Sequence, residues 1–220
     1  TGVQTCALPI LRPPNGQAGS VPIYARSLLS YEGLTLLDAS QDINKLSNNV
    51  MARQVFLTLG LEKMGKPTDI TSSEKVIHAW LNQRGLQFPE LIIENGSGLS
   101  RNEAISARNL NKLLISGQEL PISDVFLSTL PLVGSEGTVR HRLINQMRNF
   151  LHLKKKPEAR IKTGSLDNVR SISGYVFSKS GSIYAVTSFI NDPKANRGQE
   201  IHDQLLTWLL EDGPEPKEAR

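Results

Sequence analysis

Ala159-Arg160-Ile161-Lys162-Thr163-Gly164-Ser165-Leu166 reads as a short β-strand carrying a Lys-Thr-Gly triplet, and a second strand pattern follows at once from Val169. Side chains alternate along a strand, so Lys162 and Thr163 nominally point to opposite faces. Both can serve one ligand only if it lies along the strand's edge or the strand bends. Gly164 removes side-chain bulk where a ligand backbone could approach. Taken alone, the triplet is better explained as a surface edge strand guarded by lysine.

Working outward, Arg160–Leu166, Val169–Ser178 and Ile183–Asn191 read as three strands. Ser180-Gly181 predicts a tight turn that makes the second and third an antiparallel hairpin. Ile172 and Val176 fall on one face and Tyr175 and Phe177 on the other, as in a sheet covered on both sides. Upstream the period becomes helical. Asn48–Leu59 carries Met51, Val55 and Leu59 on one stripe, with Gly60 as its stop. Thr71–Arg84 starts with a Thr71/Glu74 capping box and ends at Gly85. A third helix runs from Ser106 to Gly117, with Leu110, Leu113 and Leu114, and a short one spans Pro121–Thr129. Gly134–Gly137 is a turn, and Thr138–Phe150 is expected to be helical. The last helix places Ile201, Leu205, Trp208 and Leu209 on one stripe. Helices followed by antiparallel strands and a closing helix predict an α+β layered domain, with no internal repeat.

Bulk composition narrows the function classes. The chain has 220 residues, 39% hydrophobic and 21% charged, which is ordinary for a soluble globular domain. No apolar run approaches the ~18 residues of a transmembrane helix. The net charge of +4 is dispersed; Lys154-Lys155-Lys156 is a solvated loop or, alternatively, meets an anionic polymer. Aromatics at 5% argue against a base-stacking surface, so no nucleic-acid partner is expected. The single cysteine, Cys6, excludes an internal disulfide and a cysteine-rich metal site. His78, His141, His152 and His202 show no ligand spacing, so neither a metal nor a cofactor is expected. Residues 1–20 are expected to be a disordered or non-native extension: Thr1–Ile10 resembles a translated sequencing adapter, or is a flexible linker. It is not a signal peptide, so any export signal would be encoded elsewhere. Residues 21–213 form the domain and 214–220 a polar tail.

Three segments could carry chemistry. Ser47-Asn48-Asn49 stands just before a helix; its hydroxyl can relay a proton and its amide can donate to a carbonyl, although Ser and Asn are also ordinary N-cap residues. Glu94-Asn95-Gly96-Ser97-Gly98-Leu99-Ser100-Arg101 and Leu130–Thr138 lie between it and the Lys-Thr-Gly triplet. Gly96-Ser97-Gly98 lacks the Gly-Lys-Ser/Thr of a phosphate loop.

In this order, the segments resemble the class C low-molecular-mass penicillin-binding proteins, the D-Ala-D-Ala carboxypeptidases/endopeptidases. The resemblance runs from about Asn44 to Asp192, and more loosely to Leu210. Family members usually have Asp where Asn95 stands. The resemblance implies a three-layer αβα fold of the serine β-lactamase/transpeptidase type, present here in its C-terminal part. It further implies an extracytoplasmic or periplasmic serine hydrolase of peptidoglycan. Its partners would be stem peptides ending in D-Ala-D-Ala, with β-lactam antibiotics as inhibitors. By resemblance, Ser47 relays a proton to the leaving D-alanine, Asn49 holds the substrate amide, and Lys162 and Thr163 bind the terminal carboxylate beside Gly164. The Ser165 N–H is one oxyanion donor. The family's nucleophile belongs to a Ser-x-x-Lys that precedes Ser-x-Asn. The one match here, Ser72-Ser73-Glu74-Lys75, follows it and reads as a helix start, so the nucleophile is expected upstream of Thr1 and the chain alone is expected to be inactive, with an open sheet edge. A non-catalytic peptidoglycan-binding module of the same fold is the alternative; a β-lactamase fits the Gly-Ser-Gly-Leu-Ser-Arg segment less well.

Overall fold

The computed structural model describes residues 24–26, 32–64 and 69–213; the expectations for residues 1–20 and 214–220 lie outside them. Three antiparallel strands, β1 (Glu158–Leu166), β2 (Val169–Phe177) and β3 (Ile183–Asn191), form a sheet in the order β1-β2-β3. Lys162 pairs with Ser173 and Thr163 with Ile172. β1 begins at Glu158, earlier than its sequence pattern, because Pro131–Val133 pairs with its outer edge. Val133 N–H donates to the Ala159 carbonyl at 2.9 Å and Ile161 N–H to that of Pro131 at 3.0 Å.

Seven helices accompany the sheet among the described residues: α1 (Leu36–Leu46), α2 (Asn49–Met64), α3 (Ile70–Gln83), α4 (Ala107–Gln118), α5 (Ser123–Thr129), α6 (Ile144–Arg148) and α7 (Gly198–Leu210). The two apolar faces read from β2 are both covered. Ile172 and Val176 join Ile161, Leu206, Leu209 and Leu210 under α7. Tyr175 packs with Leu114 of α4 and Leu130 on the other face, flanked by Phe126 and Phe177. Tyr175 Oη donates to the Leu114 carbonyl at 2.5 Å, and its ring meets Phe126 edge-on. The result is helix, antiparallel sheet, helix, the expected α+β arrangement.

Local departures have physical reasons. α1 was not anticipated, although Leu36, Ala39, Ile43 and Leu46 recur at helical spacing; none of its residues is fully buried. α2 runs through Gly60, which is buried against its neighbours, and continues to Met64. α3 is capped by Asp69, whose carboxylate accepts from Ser72 N–H at 2.7 Å; the Thr71/Glu74 box does not form. The helix expected over Thr138–Phe150 is reduced to a 3-10 turn, Gly137–Val139, and to α6, because Leu143 adopts a left-handed conformation between them. In α7 the buried face is Gly198, His202, Leu206, Leu209 and Leu210, while Ile201 and Trp208 face outward.

Candidate active site

Ser47 lies between two helices. It is the C-cap of α1 with φ 57° and ψ 47°, a left-handed backbone uncommon for a residue other than glycine. Asn48 takes the capping role at the start of α2, its Oδ1 accepting from Met51 N–H at 3.1 Å. Ser47 is thereby released from capping α2, and Asn49 occupies that helix's first turn. The left-handed turn at Ser47 separates α1 from α2, and the Ser47 side chain reaches Lys162 of β1.

There it meets Lys162. Lys162 Nζ donates to Ser47 Oγ at 2.5 Å and to the Thr163 carbonyl at 2.9 Å. Burial of the ammonium holds the Lys162 pKa below the ordinary lysine value. With Ser47 Oγ accepting from lysine, the serine's own proton is left to donate into the cleft.

The question of opposite faces is answered by position in the sheet. β1 is an edge strand, and Ser47, Asn49, Lys162, Thr163, Gly164 and Ser165 all line one cleft at its open end. Ile161 N–H points outward to Pro131, so by strand alternation Thr163 and Ser165 also present their backbone groups away from β2. Gly164 carries no side chain opposite Ser171, whose hydroxyl a Cβ there would crowd, so its bareness serves the cross-strand neighbour. Arg142, Lys162 and Arg170 line the cleft, and none of the residues lining it is Asp or Glu. Such a surface suits an anion.

Two loops hold this geometry. In the first, Glu136 accepts from Lys45 Nζ at 2.9 Å and from Leu132 N–H at 3.0 Å, and Asn44 Nδ2 donates to Thr129 Oγ1 at 2.8 Å. These bonds fasten the last turn of α1, and with it Ser47, to the segment Leu130–Thr138. Thr138 ends that segment, with its Oγ1 3.0 Å from Thr163 Oγ1. In the second, Glu103 Oε1 accepts from the N–H groups of Glu94, Asn95 and Gly96. Asn95 Oδ1 accepts from Ser97 N–H and hydroxyl, while its Nδ2 donates to the Leu99 carbonyl at 3.2 Å, a bond an ionised Asp could not make. Gly96, at φ 72°, lies directly over the Phe56 side chain of α2.

Sequence reasoning assigned no role to Lys45, Glu136, Glu103 or Thr138, although Thr138 stands inside a quoted motif. Ser72 and Lys75 do not line the cleft; Ser72 is in the first turn of α3. Among the described residues no cluster of His, Cys, Asp and Glu is arranged to hold a metal.

Comparison with known proteins adds four findings. Residues 17–211 match the D-Ala-D-Ala carboxypeptidase 3 (S13) family. Carboxypeptidase Rv3627c of Mycobacterium tuberculosis is 25% identical over 194 residues, which are 86% of this chain and 41% of that protein. The chain therefore spans about two-fifths of that curated relative. Penicillin binding protein 4 (dacB) from Haemophilus influenzae, solved with a β-lactam, superposes with a TM-score of 0.66 at 23% identity, over 79% of this chain and 41% of that one. A class A β-lactamase from Bacteroides cellulosilyticus shares the fold at a TM-score of 0.56 and 14% identity, over 81% of this chain and 63% of its own.

Proposed function

The chain belongs to the D-Ala-D-Ala carboxypeptidase 3 (S13) family, and from that membership we propose that it is part of a serine-type D-Ala-D-Ala carboxypeptidase/endopeptidase that forms an acyl-enzyme on peptidoglycan stem peptides and on β-lactams. The observation that carries the reading is the 2.5 Å bond between Lys162 Nζ and Ser47 Oγ, which joins two motifs 115 residues apart.

The roles follow from the chemistry of these groups. A serine outside these 220 residues attacks the D-Ala-D-Ala carbonyl and is acylated as the terminal D-alanine leaves. Ser47, held by Lys162, donates its proton toward the leaving amine and recovers one through Lys162. Asn49 supports the substrate amide. Lys162 and Thr163 receive the terminal carboxylate, an ammonium and a hydroxyl suited to a small anion. The outward Ser165 N–H supplies one oxyanion donor, a group whose loss typically costs ~10²–10³ in rate. A substrate made in the cell wall places the enzyme outside the cytoplasm. No helix among the described residues is long and apolar enough to cross a membrane.

Labelling with a fluorescent penicillin tests this reading. The full-length gene product is expected to be acylated and the 220-residue chain alone is not. Lys162→Ala in the full-length protein should cut acylation by at least ~10²-fold, as loss of a catalytic proton-transfer group does, with its circular dichroism unchanged. Stable labelling of the short chain at Ser72, or unchanged acylation of Lys162→Ala, would refute the assignment. An unlabelled full-length protein that still binds peptidoglycan would point to the non-catalytic module instead.

A further inference from the structure

The roles above leave Thr138 unused, yet its hydroxyl lies 3.0 Å from that of Thr163. A hydroxyl has one proton and two lone pairs, so one proton joins the pair and only one is left to point outward. When Thr138 is the donor, Thr163 keeps its own proton for a ligand, and accepting a hydrogen bond makes it the stronger donor.

The surroundings of Thr138 give it a fixed seat. Next to it, Gly137 (φ 51°) lies so close under the Lys45 carbonyl that a Cβ could not be placed there. Glu136 is tied to Lys45 and to Leu132 N–H. On the other side, Val139 is fully buried, and its carbonyl accepts from Gly134 N–H at 3.1 Å. Thr138 itself is exposed at the cleft. A loop anchored on both sides therefore presents one hydroxyl to Thr163 of the edge strand.

We propose that Thr138 is a positioning residue for the substrate's terminal carboxylate: its hydroxyl donates to Thr163 Oγ1 and so fixes the Thr163 proton toward the anion beside Lys162. The inference rests on the carboxylate-binding role proposed above for Lys162 and Thr163. It assigns to the loop a share in recognising a free C-terminus, since a ligand whose carboxylate is masked offers the oriented Thr163 proton only a neutral, weaker acceptor.

The test compares second-order acylation rate constants for benzylpenicillin and its methyl ester in the full-length gene product. Thr138→Val keeps the shape and removes the donor. It should lower the rate with benzylpenicillin about fivefold, the size of one neutral hydrogen bond, and leave the ester within about twofold on the same ground. Thr138→Ser should restore the wild-type ratio. Equal losses with both compounds, or no loss with either, overturn the inference while leaving the acyl-enzyme reading standing. If the wild-type protein is acylated by neither compound, that reading fails. The inference is then decided by equilibrium binding of N-acetyl-D-Ala-D-Ala and its C-terminal amide: a Thr138→Val protein that keeps the wild-type acid-to-amide preference overturns it.

Discussion

Ser47 owes its position to a residue far from it in sequence. Gly137 sits at φ 51° beneath the Lys45 carbonyl, two residues before Ser47, and no Cβ fits between them. Beside it, Lys45 and Glu136 are ion-paired at 2.9 Å and only partly exposed. Gly137→Ala would force the loop away from α1 and place alanine in a left-handed backbone. The expected cost is about 1–3 kcal/mol, the usual range for a residue held in a sparsely populated conformation. Urea unfolding checks this, and a midpoint equal to the wild type would show that the loop yields freely. Displacement of α1 would also lengthen the bond from Lys162 to Ser47, so a penicillin acylation rate that falls further than stability alone predicts would identify the loop as the support of the proton relay.

At the scale of elements, the link between the loop before α4 and that helix depends on one carboxylate. Glu90 Oε1 accepts from Ser106 N–H at 3.1 Å and from Asn109 Nδ2 at 2.7 Å, at the N-terminus of the helix that covers the Tyr175 face. Hydrogen bonding, foremost from the Ser106 side chain, holds the Glu90 pKa at about 2, below the ordinary value of 4.5. A depressed carboxylate pKa contributes stability above the unfolded value that is lost as pH falls through the folded one. Glu90→Gln should therefore lower the urea midpoint at pH 7, and the gap to wild type should close between pH 4.5 and about 2. A gap that stays constant over that window would exclude an ionised role. Legibility also divides at this scale. The strands, α2, α3 and α4 were readable because apolar residues and stop or turn signals stand at the spacing of the element in the sequence. α1 was missed although its apolar residues recur at helical spacing, and it buries no residue completely. Half of the α7 stripe was read correctly: Leu209 is buried and Leu205 packs on the core, whereas Ile201 and Trp208 are apolar yet exposed and the buried face includes His202. Within the site, Ser47, Lys162 and Thr163 stood in local motifs. Glu136 and Thr138 also stood in a quoted segment, but their contacts with Lys45 and Thr163 did not show, because the partners lie 91 and 25 residues away and leave no periodic trace.

On the whole molecule, two of the exposed apolar surfaces among the described residues bear on association. β3 pairs with β2 as its one strand neighbour among the described residues, so no other described strand covers its far edge. Across the outer side of α7, Ile201 and Trp208 are 60% and 52% exposed. An unguarded strand edge is a template for pairing with another chain, and natural sheets blunt it with charge. The outward end of β3 begins at Ile183, itself exposed and apolar. The 220-residue chain, 24.2 kDa, is therefore expected to sediment with a mass that rises with concentration. Ile183→Lys should reduce that rise by charging the edge, whereas lysine at Ile201 should reduce it only if the α7 face also joins the contact. A mass that stays at one chain over the whole concentration range would show that the β3 edge is already protected. A rise that Ile201→Lys abolishes and Ile183→Lys leaves intact would move the contact from the sheet to the helix. The direction of these effects follows from solvation, since strand pairing at this edge would draw a lysine at position 183 out of water, which is how edge lysines oppose pairing.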